Sequence, residues 1–297
     1  MPLPLPEILD SGNLVRYSSS STCQRWFCRR CGASALNIDK GDGADEWEVA
    51  TGLLHFIDGR GLDSRLNRVQ IWVDDIKGDG GAVGWINQGL LAGMDRHWKG
   101  RKSGLVEDKA VQGMLAKGRN LAMDSPSQQL AATCHCRNVA FSISRPDGEA
   151  LKSTRGKFEA GLDACTSCRI VTGFEVTSWL TVPRHLIRIE NTDLNGLLSN
   201  KSKLGHYKTS ADVSRYFCAE CGATIFYYKH GLDTIDIGIG LLNPQDEGMV
   251  RVENWLAWQK YPNGVAYQED AVDKGFIANL AKGIESNEAS RAEQGNT

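Results

Sequence analysis

The spacing of the cysteines is the feature that most constrains this chain. All nine stand in short clusters: Cys23 with Cys28 and Cys31, Cys134 with Cys136, Cys165 with Cys168, and Cys218 with Cys221. Intervals of one or two residues between cysteines are typical of metal ligands. An odd number of cysteines is poor evidence for a disulfide framework, and cysteines that only fill a core would be scattered. The clusters therefore predict bound metal.

The composition indicates a globular protein and reduces the classes of partner that it is expected to bind. The chain is 41% hydrophobic and 24% charged, with a net charge of -2, which argues against nucleic acid or an anionic membrane as partner. No apolar run approaches the roughly 20 residues that span a bilayer, and the opening MPLPLPEILD does not resemble a secretory signal. We therefore expect a cytoplasmic protein with reduced thiols and a small-molecule substrate.

An internal repeat runs through the chain. The segment YSSSSTCQRWFCRRCGA, from Tyr17, is similar to YKTSADVSRYFCAECGA, from Tyr207. Three more pairs follow in the same order: VATGLL with IGIGLL, RVQIWV with RVENWL, and EDKAVQGMLAKG with EDAVDKGFIANLAKG. The repeat predicts a duplication with an incomplete N-terminal copy. Its predicted parts are a C-terminal half unit (1–118), a linker (119–132), a complete zinc-binding catalytic unit (133–285) and a disordered tail (286–297).

Short strands dominate the local pattern. Residues 138–144, 178–182, 186–190, 223–228 and 234–240 are β-branched or aromatic and alternate in polarity, with glycine-rich turns between them. Helical periodicity is confined to the two EDKAVQGMLAKG-like segments and a short run after Cys168. The pattern predicts a mainly β domain stapled by zinc. Because the half unit lacks its partner strands, we expect it to pack on the second unit or on another chain, which would allow an oligomer.

Four cysteines form a complete ligand set. Cys134 and Cys136 with Cys218 and Cys221 supply the four thiolates of a structural zinc, and Gly222 permits the positive φ that the turn after Cys221 requires. Such a zinc would tie the start of the domain to its last third. The alternative is two separate reduced pairs.

The stretch GLDACTSCRIVTG offers a second, smaller ligand set. Asp163, Cys165 and Cys168 provide three donors and leave one position vacant, as a catalytic zinc requires. Two alternatives stay open. Asp163 can instead be a turn residue beside a redox pair of cysteines. A closed structural zinc is also possible, with one of three histidines as the fourth ligand: His185, His206 or His230.

Two residues near this stretch are candidates for catalytic roles. Glu175 follows Cys168 by seven residues and is a candidate general base, with a solvated surface role as its alternative. Arg169 could neutralise the thiolates or hold a substrate carboxylate, with a surface salt bridge as its alternative. Arg215 recurs as Arg25 in the half unit, which has no counterpart of this stretch, and is therefore interpreted as structural.

The motifs TCHCRNVAFSI, ACTSCRIVTGF and SRYFCAECGATIF, in that order, resemble the family of glutathione-dependent formaldehyde-activating enzymes and centromere protein V. The resemblance covers about Thr133 to Ala257 in full, and Tyr17 to about Trp72 for the second half of the motif set. It implies an Mss4-like β-rich fold, a structural zinc on the outer cysteine pairs, a catalytic zinc on the middle cluster and possible use of glutathione. Asp163 departs from the pattern, because better-known members carry a third cysteine there.

Three functions are compatible with these features. The first is a zinc-dependent carbon–sulfur lyase-like enzyme for a small carbonyl or thiol adduct, possibly linked to glutathione. The second is a zinc-dependent tailoring enzyme for a larger natural product, with some of the eight tryptophans lining its pocket. The third is a non-catalytic, zinc-stapled binding module. Whether Cys23, Cys28 and Cys31 bind metal or remain free stays open at this stage.

Overall fold

The structure is a computed structural model that describes residues 5–40, 46–55, 62, 66–121, 127–145, 156–244, 248–258 and 264–294. Within these residues the fold is mainly β, as the sequence predicts. The strands are β1 (Leu14–Ser18), β2 (Cys23–Cys28), β3 (Ser34–Asp39), β4 (Glu46–Val49), β5 (Gln129–Thr133), β6 (Ala140–Ser144), β7 (Phe158–Asp163), β8 (Thr177–Pro183), β9 (Ile187–Arg188), β10 (Leu204–Ser210), β11 (Val213–Cys218), β12 (Thr224–Lys229), β13 (Thr234–Gly238), β14 (Leu242–Asn243) and β15 (Leu256–Trp258). The α-helices are α1 (Leu5–Asp10), α2 (Asp108–Leu121), α3 (Thr166–Thr172), α4 (Leu194–Ser199) and α5 (Lys274–Gln294).

Contacts divide the chain into two compact units, each built from three separate stretches of sequence. Unit 1 contains Met1–Leu54, Gln129–Ser144 and Thr166–Asn243, and unit 2 contains His55–Gln128, Arg145–Cys165 and Pro244–Thr297. These units group residues that are in contact, whereas the boundaries predicted from the repeat separate segments of similar sequence. The units therefore do not test those boundaries, which stay predictions.

Unit 1 contains eight of the nine cysteines, and Cys165 belongs to unit 2. Strands β1 to β4 form a sheet in sequence order, and β14, β5, β6 and β9 form another. A further run of neighbours, β10-β11-β12-β13-β8, is antiparallel throughout. All six residues of β11 are buried, which places this strand in the core and holds its terminal cysteine rigidly.

The strand registers in the two copies of the repeat correspond. Tyr17 pairs with Arg25 in the first copy, and Tyr207 pairs with Arg215 in the second. Each copy has a register shift at the equivalent place, between Trp26 and Phe27 in the first copy and between Tyr216 and Phe217 in the second. Matched registers are what a duplication predicts, although a shared architecture alone does not establish a common origin.

The half copy packs on the complete copy within unit 1. The rings of Phe27 and Phe217 meet edge to face with centroids 6.2 Å apart, and both residues are buried. A Cβ on Gly32 would overlap the ring of Phe217, and a Cβ on Gly222 would overlap the ring of Phe27. This reciprocal packing is the first of the two arrangements expected for the half unit, with the partner supplied by the same chain.

Unit 2 contains the long helices predicted from the repeat. Helix α2 buries Val111, Met114 and Leu115 against Val73 and Val83. Strands β7 and β15 pair in parallel. Helix α5 ends at Gln294 and therefore extends into the segment from 286 that the sequence predicts to be a disordered tail. Six of the twelve residues of that segment are Ala, Glu, Gln or Arg, which favour a helix, and none is proline. None of the described helices is long and apolar enough to cross a membrane.

Candidate metal centres

Two hairpin turns bring four sulfurs together in unit 1. Cys134 and Cys136 lie between β5 and β6, whereas Cys218 ends β11 and Cys221 lies in the turn that leads to β12. The Sγ atoms are 3.5 Å apart for Cys134 and Cys136, 3.7 Å for Cys134 and Cys218, and 3.5 Å for Cys136 and Cys218. All four ligand atoms lie within 4.8 Å of one another. We call this set the four-cysteine cluster.

The geometry of the four-cysteine cluster fits zinc. A tetrahedron with Zn–S bonds of about 2.3 Å has sulfur–sulfur edges of about 3.8 Å, close to the observed separations. Backbone N–H groups of Val139 and Cys221 also donate to the sulfurs of Cys134 and Cys218, at 3.3 and 3.5 Å. Such bonds stabilise thiolates and hold them in orientation. The donor set and its surroundings are therefore those of a structural metal site.

The electrostatics of this cluster favour a divalent cation. Burial is the main cause that raises the pKa of Cys136 to about 12. Hydrogen bonds to Cys134 and Cys221 raise the pKa of Cys218, whereas hydrogen bonds from Cys134 and Cys218 lower the pKa of Cys221. Without metal, these contacts favour ionisation of Cys221 over ionisation of its three neighbours. A bound cation would remove the repulsion that prevents the other thiols from ionising.

Asp163, Cys165 and Cys168 form a second group, which we call the middle cluster. Asp163 ends β7 and Cys168 lies in α3, so a six-residue segment supplies all three donors. Their ligand atoms lie within 4.8 Å of one another, and Cys168 is buried. Among the described residues no fourth His, Cys, Asp or Glu joins this group, and the three histidines considered as a closing ligand are not part of it.

Asp163 satisfies both interpretations made from the sequence. Its Oδ1 accepts the backbone N–H of Cys165 at 2.7 Å, which is the bond expected of a turn residue. The carboxylate is also grouped with both thiols. A carboxylate that is fixed by one hydrogen bond is suited to metal binding through its other oxygen.

Glu175 and Arg169 are both buried, so their surface alternatives are wrong. Glu175 is 9% exposed and Arg169 is 2% exposed. Arg169 donates through Nη1 to the carbonyl oxygens of Gly52 and Leu54, and the N–H of Gly52 donates to Gly173 O at 2.9 Å. These are contacts of a structural residue that fastens α3 to the half copy. The catalytic roles of both residues stay predictions.

The N-terminal hairpin keeps the backbone shape of a metal-binding turn and its pair of cysteines. Cys28 N–H donates to Ala33 O at 2.9 Å, and Gly32 N–H donates to Cys28 O at 2.9 Å. Equivalent bonds in the second copy link Cys218 with Ala223 and Gly222. Within the described part of the chain, Cys23, Cys28 and Cys31 belong to no group of three or more potential ligands.

Sequence reasoning missed one contact of the middle cluster. Arg215, interpreted as structural, donates through Nη2 to the sulfur of Cys168 at 3.4 Å. The sequence signal was its position three residues before Cys218, in a strand whose other residues, apart from Ser214, are apolar, aromatic or cysteine. A charge in such a strand requires a partner, but the sequence does not say which partner.

The tryptophans do not line the cavity that is described in unit 2. This cavity has a volume of about 380 Å³ and is lined by residues that include Arg68, Leu90 and Phe276, but by no tryptophan. Trp85 and Trp258 instead pack on each other, with ring centroids 4.9 Å apart.

Comparison with known families agrees with the cysteine geometry. The family described as glutathione-dependent formaldehyde-activating enzyme matches residues 129–257. This part of the chain is therefore similar to that family. The match spans both metal-ligand groups and fits the β-rich Mss4-like architecture predicted from the motifs, whereas the half copy lies outside it. No curated protein matches the chain.

Proposed function

We propose that the chain is a zinc-dependent enzyme for a small, glutathione-linked carbonyl or thiol adduct, with the chemistry of a carbon–sulfur lyase. The four-cysteine cluster would hold a structural zinc and the middle cluster a catalytic zinc. The observation that supports this most directly is the middle cluster itself, which groups three donors and, among the described residues, no fourth. The family match supports glutathione as the thiol.

The zinc, Asp163 and Glu175 would each have a different role in the proposed reaction. Zinc bound there would act as a Lewis acid for a carbonyl oxygen or would stabilise a thiolate. Asp163 gives a harder ligand than a third cysteine and donates less charge, which favours an oxygen ligand. In the addition direction, the thiol sulfur forms a bond with the carbonyl carbon while the thiol loses its proton and the carbonyl oxygen gains one; cleavage is the reverse. Buried Glu175 is our candidate for moving that proton.

The first experiment counts metal. The wild type should bind two zinc ions per chain, and Cys165→Ser should bind one while keeping the wild-type circular dichroism spectrum. Cys23→Ser serves as a matched control, because Cys23 is half-buried like Cys165 and lies outside both clusters. One zinc in the wild type, with Cys165→Ser unchanged, would instead support a non-catalytic module held together by a single metal.

The second experiment tests the reaction. Glutathione and formaldehyde are mixed with the enzyme, and exchange between free and adduct carbon is followed by NMR. The wild type should accelerate exchange, and Cys165→Ser should reduce the enzymatic part at least about 100-fold, since a catalytic metal contributes several kcal/mol. No acceleration with two zinc ions bound would exclude this thiol–aldehyde pair, and the same assay with other aldehydes and thiols then decides the substrate class.

A further inference from the structure

Arg215 is a buried cation beside the middle cluster. It lies in β11 and is 3% exposed. Its Nη2 donates to Cys168 Sγ at 3.4 Å and to Ser167 Oγ at 3.2 Å. The guanidinium also lies over the ring of Tyr227, 4.7 Å from the centroid, and 6.0 Å from that of Trp179. The aromatic rings exclude water from one side of the guanidinium, and the sulfur of Cys168 lies on another side of it.

The charge of Arg215 has no carboxylate partner among the residues that the structure describes. Its Nε and Nη1 atoms are buried and make no hydrogen bond there, and no described salt bridge includes it. A buried, unpaired cation costs several kcal/mol. The thiol of Cys168, which Arg215 contacts directly, is a group that can carry a negative charge.

We infer that Arg215 is a positioning residue that balances the charge of a metal bound at the middle cluster. This inference rests on the proposed function. A divalent ion on one carboxylate and two thiolates leaves one excess negative charge, and the guanidinium of Arg215 neutralises it. Its N–H···S bond also withdraws electron density from Cys168, which fixes the thiolate and reduces the charge that it donates to the metal.

The repeat provides a control for this inference. Arg25 occupies the same register position in the half copy, opposite Tyr17, as Arg215 occupies opposite Tyr207. Arg25 is exposed, and its Nε donates to Ser19 Oγ at 3.1 Å. The backbone pairing that both arginines share therefore does not require a buried guanidinium. What distinguishes Arg215 is the sulfur of Cys168.

The test compares Arg215→Met with Arg25→Met and with Arg215→Lys. Zinc bound per chain and zinc affinity are measured by chelator competition, and cobalt(II) replaces zinc for spectroscopy. Arg215→Met should weaken the second metal about 10- to 100-fold, as loss of an outer-shell contact does, and should keep the first. Its sulfur-to-cobalt charge-transfer absorption should move to lower energy, because the sulfur holds its electrons less tightly. Arg215→Lys should restore part of the affinity for the second metal and part of the absorption energy. Arg25→Met should match the wild type in both measurements.

The outcomes separate this inference from the proposed function. A wild type with one zinc would overturn the proposed function itself. If the wild type binds two zinc ions, and Arg215→Met has the same affinity for the second ion and the same spectrum, only the role of Arg215 would be overturned. If Arg215→Met also loses the first zinc through misfolding, Arg215→Lys decides: a weaker second site with the first intact supports the role, and an unchanged second site contradicts it.

Discussion

At the scale of single residues, the glycines of the two hairpin turns meet two independent demands. Gly222 has a φ of +74° and Gly32 a φ of +79°, a region that other residues rarely adopt. Each also lies against an aromatic ring of the opposite copy, Phe27 for Gly222 and Phe217 for Gly32. A side chain at either position would strain the turn and also push the two copies apart.

Gly222→Ala should therefore lower the free energy of unfolding by about 2–4 kcal/mol, from about 1 kcal/mol of backbone strain and 1–3 kcal/mol of overpacking. The measurement is urea unfolding of zinc-loaded protein. Gly231→Ala is the matched control, because Gly231 has a φ of +85° and nothing within 4 Å of a new Cβ; it should show the strain alone. Equal losses in the two variants would show that the Phe27 contact does not limit the size of residue 222.

Glu175 permits a prediction about proton transfer. If it moves the proton in the proposed reaction, Glu175→Gln should lower kcat by about 100- to 10,000-fold, the usual contribution of a general acid or base, with two zinc ions still bound. Glu159→Gln is a control, because Glu159 is an exposed carboxylate on β7. A variant with wild-type kcat, or with loss of a metal, would assign Glu175 a structural role.

At the scale of elements, the two hairpins differ in what reaches them. The β11–β12 turn meets the turn between β5 and β6, which supplies Cys134 and Cys136. The β2–β3 turn has the same backbone bonds, but within the described residues no second pair of ligands approaches it. The shape of the hairpin alone therefore does not bring a second pair of ligands to it among the described residues.

The Cys28→Ser and Cys31→Ser double variant should accordingly bind as much zinc as the wild type and lose less than about 1 kcal/mol of stability, since both thiols are only half-buried. Metal analysis and urea unfolding measure both quantities. The Cys218→Ser and Cys221→Ser double variant makes the equivalent change in the second copy and should lose one zinc. Loss of zinc from the first variant would mean that the half copy is a third metal site.

The sequence predicts those elements whose signal is local. Alternation of apolar and polar residues is enough for β8, β12 and β13, and helical periodicity is enough for α2. Pairing is not local: β7 joins β15 in parallel although about ninety residues separate them. The same limit applies to the site, where spacing identifies the ligands of both clusters, but the contact of Arg215 with Cys168 depends on how α3 packs against β11.

At the scale of the whole molecule, the proposed zinc at the four-cysteine cluster would act as a cross-link. It would join Cys134 to Cys218, 84 positions later in the chain. Closing a loop of that length in the unfolded chain costs on the order of 4 kcal/mol in entropy. Zinc that stays bound to all four cysteines would keep this loop closed. The stability of the molecule should therefore depend on zinc at this cluster more than on zinc at the middle cluster, whose ligands are at most five positions apart in the chain.

Removal of zinc should show this difference and should depend on pH. In the metal-free protein, burial chiefly raises the pKa of Cys136 to about 12. For Cys134, the Cys221 hydrogen bond and burial outweigh the lowering effect of the Cys218 bond and give a pKa of about 11. Both thiols are thus protonated at neutral pH, and zinc must displace their protons. Protons and zinc compete, so lower pH favours the metal-free state.

We expect the zinc affinity of the four-cysteine cluster to fall at least about 100-fold per unit of decreasing pH between about pH 8 and pH 6, since two or more protons are released. Chelator competition across this range, with Cys165→Ser protein so that only one site is present, measures the slope. Thermal unfolding on the same samples should show the melting temperature falling as zinc leaves. A slope near zero would mean that the four thiols are already ionised without metal, and a constant melting temperature would mean that the cross-link does not stabilise the fold.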